Sequence, residues 1–352
     1  MLPVTDSTAD LTSSPEAILV IGPAWVGDMV MAQVLFRLLK TQRPNCVIDV
    51  MAPAWSAPLL ARMPEVRHNL HLPLQHGEFG FRQRRQIGHT LRQQYTQAIL
   101  LPNSWKSALV PFFARIPLRT GWRGEMRYGL LNDSRSLNKT HYPLMIQRFA
   151  ALAFPPGAAL PELLPRPQLH IDDTERQRTL QRFALTTERP VLALCPGAEF
   201  GEAKRWPERH YAAVASDAIA RGQQVWVFGS AKDANVADHI LQLLPLEQRA
   251  QCVSLAGLTA LGEAIDLLSL ATAVVSNDSG LMHIAAALDR SLVAVYGSSS
   301  PAFTPPLTPH ATIVRTGIAC SPCYQRQCPL GHRHCLEQLE PARVLAALAT
   351  PP

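Results

Sequence analysis

No apolar run in this chain reaches the ~18 residues that a membrane-spanning helix needs, so no transmembrane helix is expected. Residues 1–16 carry Asp6, Asp10 and Glu16 among serines and threonines, without the basic start and apolar middle of a secretory signal. They read as a loose, disordered extension of a cytoplasmic protein. The dinucleotide pattern G-x-G-x-x-G is missing, which counts against a nicotinamide dehydrogenase. No nucleic-acid module signature is present, and the basic residues are not interleaved with aromatics as in a single-strand-binding groove. Nucleic acid is therefore not an expected partner. Internal repeats and low-complexity tracts are also lacking.

What is there is long enough for two cores: 352 residues, 47% of them hydrophobic. The net charge of +6 suits an anionic partner such as a phosphate or a membrane surface. Short apolar runs alternate with longer amphipathic segments. Strands are expected at Ala17–Ile21, Val47–Met51, Ala98–Leu101, Val191–Leu194, Gln224–Phe228, Ala273–Ser276 and Leu292–Tyr296. Helices are expected between them, among them Val30–Lys40, Ser104–Phe113, Glu208–Ala220 and Leu261–Ala271. This βαβ rhythm predicts an α/β fold of parallel sheets with helices on both faces. It breaks at Phe154–Pro167, where five prolines and a glycine resist helix and central strand alike. That segment reads as a linker between Rossmann-like domains at 17–160 and 161–352. Ligands of such open sheets bind beyond the carboxyl ends of the strands, here in a cleft between the domains. A final helix near Pro341–Ala349 is expected to fold back on the first domain.

The strand ends carry the chemistry. At Val275–Leu288 an apolar strand runs through Asn277-Asp278-Ser279-Gly280 straight into a small-residue helix. Ser or Asp can cap that helix, and Gly280 lets a ligand approach its N–H groups, which makes an anion site. His283 could cap or brace the turn. The loop Cys195–Pro207 offers Gly197 for backbone access and Lys204 as a mobile cation for phosphate. A third loop, Phe228–Asp233, again joins Gly to Ser, Lys and Asp233. Together these loops suit a nucleoside diphosphate better than any one of them does. In the first domain, Gly22 and Gly27 permit a tight turn before Asp28, which stands at a helix start facing the cleft or merely caps it.

Two further clusters stand out. Phe81–Ala98 has Arg82, Arg84, Arg85 and Arg92 with no acid, and Ser104–Arg127 has Lys106, Arg115, Arg119, Arg123 and Arg127 against Glu125 alone. Phe112 and Phe113 read as a buried pair, with contact to a membrane face as the rival reading. Cys320, Cys323, Cys328 and Cys335 follow the spacing C-x2-C-x4-C-x6-C. Four thiolates could hold zinc or an iron–sulfur cluster, but the spacing fits no ribbon pattern, so a structural brace is expected. Cys46, Cys195 and Cys252 sit in strand-like contexts and read as core.

Val26-Gly27-Asp28, the run from Pro196 to Pro207 (Pro-Gly-Ala-Glu-Phe-Gly-x-Ala-Lys-Arg-Trp-Pro) and Asn277-Asp-Ser-Gly-Leu-Met-His283 resemble the ADP-heptose:lipopolysaccharide heptosyltransferases of glycosyltransferase family 9. Pro102–Phe113 and Arg119–Asp133 look most like the heptosyltransferase II branch. The resemblance runs from about residue 17 to about 306 and joins motifs of both halves in order. It implies the GT-B fold, two Rossmann-like domains facing across a cleft. It also implies inverting transfer of heptose from ADP-L-glycero-β-D-manno-heptose to the first heptose of the lipopolysaccharide inner core, with no bound metal or other cofactor. Asp28 then matches the family's base and Lys204 its phosphate-contacting lysine. Gly197, Asp233, Asp278, Ser279, Gly280 and His283 fall to the donor site. The acceptor's carboxylates and phosphates would meet Arg119, Arg123 and Arg127 first, then Asn103 and Lys106. A lipid-anchored acceptor implies a peripheral enzyme at the cytoplasmic face of the inner membrane. Heptosyltransferase I, another core heptosyltransferase and a non-catalytic nucleotide-sugar-binding module remain open alternatives at this point.

Overall fold

A computed structural model describes residues 16–74 and 78–350. The expected extension therefore lies outside the described residues except for Glu16, which pairs with Arg43 at 2.6 Å. The strands are β1 (Ala17–Ile21), β2 (Val47–Ala52), β3 (Val66–His71), β4 (Gln97–Leu100), β5 (Leu118–Trp122), β6 (Asp133–Arg135), β7 (Val191–Cys195), β8 (Gln224–Val227), β9 (Cys252–Ser254), β10 (Ala273–Asn277), β11 (Ser291–Val295) and β12 (Ala311–Val314). The α-helices are α1 (Val26–Gln42), α2 (Ala57–Leu60), α3 (Phe81–Thr90), α4 (Leu109–Phe113), α5 (Met145–Ala150) and α6 (Asp173–Arg182). They continue with α7 (Glu208–Ala220), α8 (Ala234–Leu243), α9 (Leu261–Leu268), α10 (Gly280–Ala287), α11 (His334–Glu337) and α12 (Pro341–Ala349).

Two six-stranded parallel sheets result, one per lobe, ordered β3-β2-β1-β4-β5-β6 and β12-β11-β10-β7-β8-β9. Taken from its β9 edge, the second sheet repeats the order of the first. This is a structural duplication that the sequence does not display. Each order is that of a doubly wound sheet, whose direction switches between the first and fourth strands of the lobe. The central strands are apolar on both faces because helices cover both: all five residues of β7 are buried, as are four of the five in β1, β10 and β11.

Helix α1 holds the lobes together. It is buried from Met29 to Phe36, because one side lies on its own sheet and the other on α10. Met29, Leu35 and Phe36 belong to one core with Met282, Ile284 and Ala285 of the other lobe. Two glycines allow this close approach. A Cβ on Gly27 would lie 2.6 Å from the His283 ring, and one on Gly280 would lie 2.7 Å from Val26 Cβ. Gln33 and Gln168 exchange two hydrogen bonds of 2.8 Å where the linker crosses α1. Arg62 reaches the buried Asp266 of the second lobe at 2.5 Å.

Three expectations are corrected. Helix α12 does not return to the first lobe. Its apolar side, with Val344, Leu345 and Leu348, joins the core of the second lobe beside α7, β11 and β12. The segment Ser104–Phe113 is not one helix but a 3-10 turn at Trp105–Ala108 followed by α4, in which Pro111 takes up one of the five positions. Phe112 and Phe113 are not a core pair, since Phe112 is exposed and Phe113 is half-buried. Cys46, Cys195 and Cys252 are buried as expected.

Candidate active site

The two switch points face each other. The loop after β1 opens α1 and carries Asp28 in its first turn, and the loop after β4 carries Asn103. From the other lobe, the loop after β7 carries Gly197 and Lys204, and the loop after β10 carries Asp278, Ser279 and Gly280. Neither helix end is closed by its own side chain. Trp25 and Ser279 occupy the cap positions of α1 and α10 without a side-chain cap bond. The cap that Ser or Asp could supply to α10 is therefore not made, and Ser279 Oγ instead lies 3.3 Å from Ser276 Oγ. Two helix N-termini are left with open N–H groups at the interlobe seam, a setting for negative charge.

Two groups at this seam are perturbed, Asp28 and His283. Burial raises the Asp28 carboxyl from 3.8 to about 6; the cation of Lys204 pulls the value down and the carboxylate of Asp278 pushes it up. Two residues of the second lobe thus act on a carboxylate of the first within charge–charge range. His283 is buried, and burial lowers its imidazole to about 4, with Asp278 opposing and Lys204 adding to the effect. It is neutral near pH 7 and packs under Gly27, so it braces the seam and does not serve as a proton donor there.

Lys204 lies with Nζ 2.5 Å from Asp278 Oδ2 and 5.2 Å from the centre of the Phe200 ring. It sits in a loop held by buried Asn277, a residue that sequence reasoning left out of the site. Asn277 Nδ2 donates to Pro196 O at 2.6 Å, and its Oδ1 accepts from Trp206 N at 3.1 Å and Tyr211 Oη at 3.0 Å. One amide thus ties both ends of the Pro196–Trp206 loop to the turn after β10. Its only signal in sequence was its place at the head of the Asn-Asp-Ser-Gly turn. Asp233 is buried beneath the same loop, where it accepts from Ser230 N at 2.9 Å and Ser230 Oγ at 2.7 Å. Gly197 lies against it, since a Cβ there would fall 2.6 Å from the Asp233 carboxylate.

The cysteine-rich segment braces this loop. Arg326 O accepts from Ala203 N at 3.1 Å, and Gly201 packs on the Arg326 backbone. Cys320, Cys323, Cys328 and Cys335 line one small pocket of about 20 Å3 together with Ala203. Among the described residues, no group of three His, Cys, Asp or Glu is placed to hold a metal ion. The backbone of Arg326, between Cys323 and Cys328, thus supports the Gly201–Ala203 turn, and the four thiols are free.

The acceptor-side residues divide by position. Asn103, Lys106 and Arg123 lie beyond the carboxyl ends of β4 and β5, on the cleft side, and Gly124 packs on Asn103. Arg127 does not face the cleft. It is buried, and its guanidinium donates to Pro102 O at 2.8 Å, Ser107 Oγ at 3.2 Å and the Trp122 carbonyl. It holds the loop after β4 in place, and its Nε, which has no partner among the described residues, is buried rather than turned outward. Arg119 is at the opposite end of β5, roughly 13 Å of strand from Arg123. There it bonds Leu130 O at 2.7 Å and Ile116 O at 2.6 Å. A strand of five residues decides this: its two ends face different sides of the lobe.

Two doubly wound lobes with a carboxylate on one side of the seam and an amine-bearing phosphate-type loop on the other define a GT-B-type glycosyltransferase. The sequence matches glycosyltransferase family 9 (heptosyltransferase) over residues 84–334. It is 52% identical over 337 residues to the lipopolysaccharide heptosyltransferase 2 of Salmonella typhimurium, covering 94% of this chain and 97% of that protein. It is 55% identical over 307 residues to the lipooligosaccharide heptosyltransferase 2 of Haemophilus influenzae, covering 85% and 88%. The solved structure of E. coli ADP-heptose lipopolysaccharide heptosyltransferase II superposes with a TM-score of 0.85 at 51% identity, covering 95% of this chain and 97% of that one. The chain belongs to glycosyltransferase family 9, the heptosyltransferases.

Proposed function

We propose that this enzyme moves L-glycero-D-manno-heptose from ADP-heptose to the first heptose of the lipopolysaccharide inner core, inverting the anomeric centre. The single observation that carries the reading is the convergence of Asp28 with Lys204 and Asp278 across the seam. Asp28 accepts the proton of the acceptor hydroxyl as its oxygen bonds to the anomeric carbon. The bond from that carbon to the phosphate oxygen breaks, and its electron pair leaves with ADP. Lys204 and the open end of α10 carry the charge that collects on the diphosphate, so no metal or other cofactor is assigned a part. Gly197, Asp278, Ser279 and Gly280 contribute backbone and side-chain contacts to the donor. Asp233 and His283 act by holding the donor loops and the seam. Asn103, Lys106 and Arg123 receive the acceptor's anionic groups. Residues 17–160 form the acceptor domain and residues 161–352 the donor domain.

The named relatives above 50% identity are all heptosyltransferase 2 or II, which supports the second heptose as the product and does not favour the heptosyltransferase I alternative. Among the described residues no helix is long and apolar enough to cross a membrane. A lipid-anchored acceptor would be met from the cytoplasmic face of the inner membrane. Mass spectrometry of a purified single-heptose acceptor incubated with ADP-heptose should show the gain of one heptose. No gain, with acceptor and donor intact, sinks the reading.

A further inference from the structure

One face of the acceptor lobe is unused by this chemistry. Helix α3 sets Phe81, Arg85 and His89 at four-residue steps on one stripe, and Arg92 follows. Against them stand Phe112, Phe113, Arg115 and Arg119, and the two sides enclose an open hollow of about 570 Å3. No acid lines it. Partial desolvation, and then the charges of Arg92, Arg85 and Arg115, hold the His89 imidazole below its ordinary range, a mark of uncompensated positive field.

An aromatic ribbon borders the hollow. Trp105 stacks on Phe79 at 5.6 Å, Phe79 on Phe81 at 6.0 Å, Phe81 meets Phe113 edge-on at 5.6 Å, and Phe113 meets Phe112 at 5.5 Å. Four of these five rings are 36–47% exposed. Their placement is enforced: the buried Arg84 donates to Phe79 O at 2.8 Å and fixes the loop that bears the ribbon. The strip stands beside four guanidinium groups that face no carboxylate among the described residues, although Arg92 and Arg119 spend part of their donors on backbone carbonyls. It matches the boundary of a bilayer, where rings settle at headgroup depth and arginines reach lipid phosphates.

We infer that the α3–α4 face docks on a bilayer surface carrying anionic phospholipid headgroups. Four arginines, with no acid among the described residues that line the hollow, and the open shape of this face suit an anionic bilayer surface. The ribbon starts at Trp105, next to Asn103 and Lys106 at the cleft mouth, so docking brings the cleft to headgroup level. The benefit to transfer rests on the reading that the acceptor is lipid-anchored; the binding itself does not.

The test is flotation of the full chain with vesicles of phosphatidylglycerol and phosphatidylethanolamine, against vesicles of phosphatidylcholine. The wild type should float with the anionic vesicles alone. Arg85→Gln/Arg92→Gln should lower partition roughly 30-fold, the contribution of two arginines near an anionic surface. Phe81→Ser/Phe112→Ser should also weaken it. Each variant should keep the wild-type unfolding midpoint and transfer heptose normally to a deacylated, water-soluble acceptor. Wild-type flotation by a normally folded Arg85→Gln/Arg92→Gln overturns the inference, as does equal binding of the wild type to phosphatidylcholine. Equal binding to an oligonucleotide would reveal a general polyanion surface and overturn it too. Arginine-dependent flotation without heptose transfer to any acceptor would leave this inference standing and remove the proposed function.

Discussion

Replacing Asp28 by Asn tests the site most directly, because two opposite effects should appear together. The carboxylate is the base, and loss of a positioned base costs roughly a hundred- to ten-thousand-fold in rate. The same carboxylate is a burden to the fold. Its proton affinity rises from 3.8 to about 6 on folding, chiefly through burial. At ~1.4 kcal/mol per tenfold change in proton affinity, the ionised form costs at most about 3 kcal/mol. Partial exposure of the side chain and the residual polarity of Asn reduce the expected gain to about 1–2 kcal/mol. The unfolding midpoint of Asp28→Asn should therefore rise by roughly 2–4 °C at pH 7.5. The sign with pH is fixed. The cost accrues as pH rises from the unfolded value of 3.8 to the folded value of about 6, and it is full above that. The stability difference between wild type and variant should thus shrink on acidification. The wild-type kcat/KM should climb through pH 6 and level off above it. The assays are ADP release against pH, calorimetric affinity for ADP, and thermal unfolding. Turnover of Asp28→Asn within tenfold of wild type, or an acid limb that survives the substitution, would refute the reasoning.

Substitutions at the neighbours should move that limb in opposite directions. Lys204→Ala removes a cation that lowers Asp28 and should shift the limb to higher pH, while Asp278→Asn removes an anion that raises it and should shift the limb lower. Lys204→Ala should also weaken ADP-heptose binding roughly 10- to 100-fold in calorimetry, the worth of a hydrogen bond to a charged group. Arg127→Ala leaves the carbonyls of Pro102 and Trp122 without their buried donor and should cost about 2–4 kcal/mol in denaturant unfolding. Arg123→Ala should instead raise the acceptor KM with no change in stability. Gly280→Ala places a Cβ against Val26 at the seam and should cost about 1–3 kcal/mol and at least tenfold in kcat/KM. Adding Val26→Ala should recover part of both, and failure of any recovery would count against contact at the seam as the cause.

The sequence displayed what is buried on both sides and hid what is not. The central strands β1, β7, β10 and β11 are apolar runs because helices cover both faces, so their positions and the loops after them were legible. Those loops hold Asp28, Lys204 and Asp278. Edge strands such as β3, where Val66–His71 is largely half-buried or exposed, carry no such run and were missed. The arginines show a different limit. Composition gives their number and spacing, but not which end of β5 each occupies, nor that Arg127 would be buried and turned to the carbonyls of Pro102 and Trp122. The amphipathic pattern of α12 says that one side is covered and is silent on which lobe covers it. Asn277 looked like one residue of a turn because its three partners are 66 to 81 positions away.

The hydrophobic interior around α1 does not stop at the lobe boundary. Met29, Leu35 and Phe36 share it with residues of α10, and Arg62 anchors Asp266 beside it. Heat should therefore melt both halves together, giving one calorimetric endotherm where independent lobes would give two. Swinging the halves widely apart would wet that oily seam, so any opening that admits donor should be a small pivot about α1 rather than a broad hinge motion.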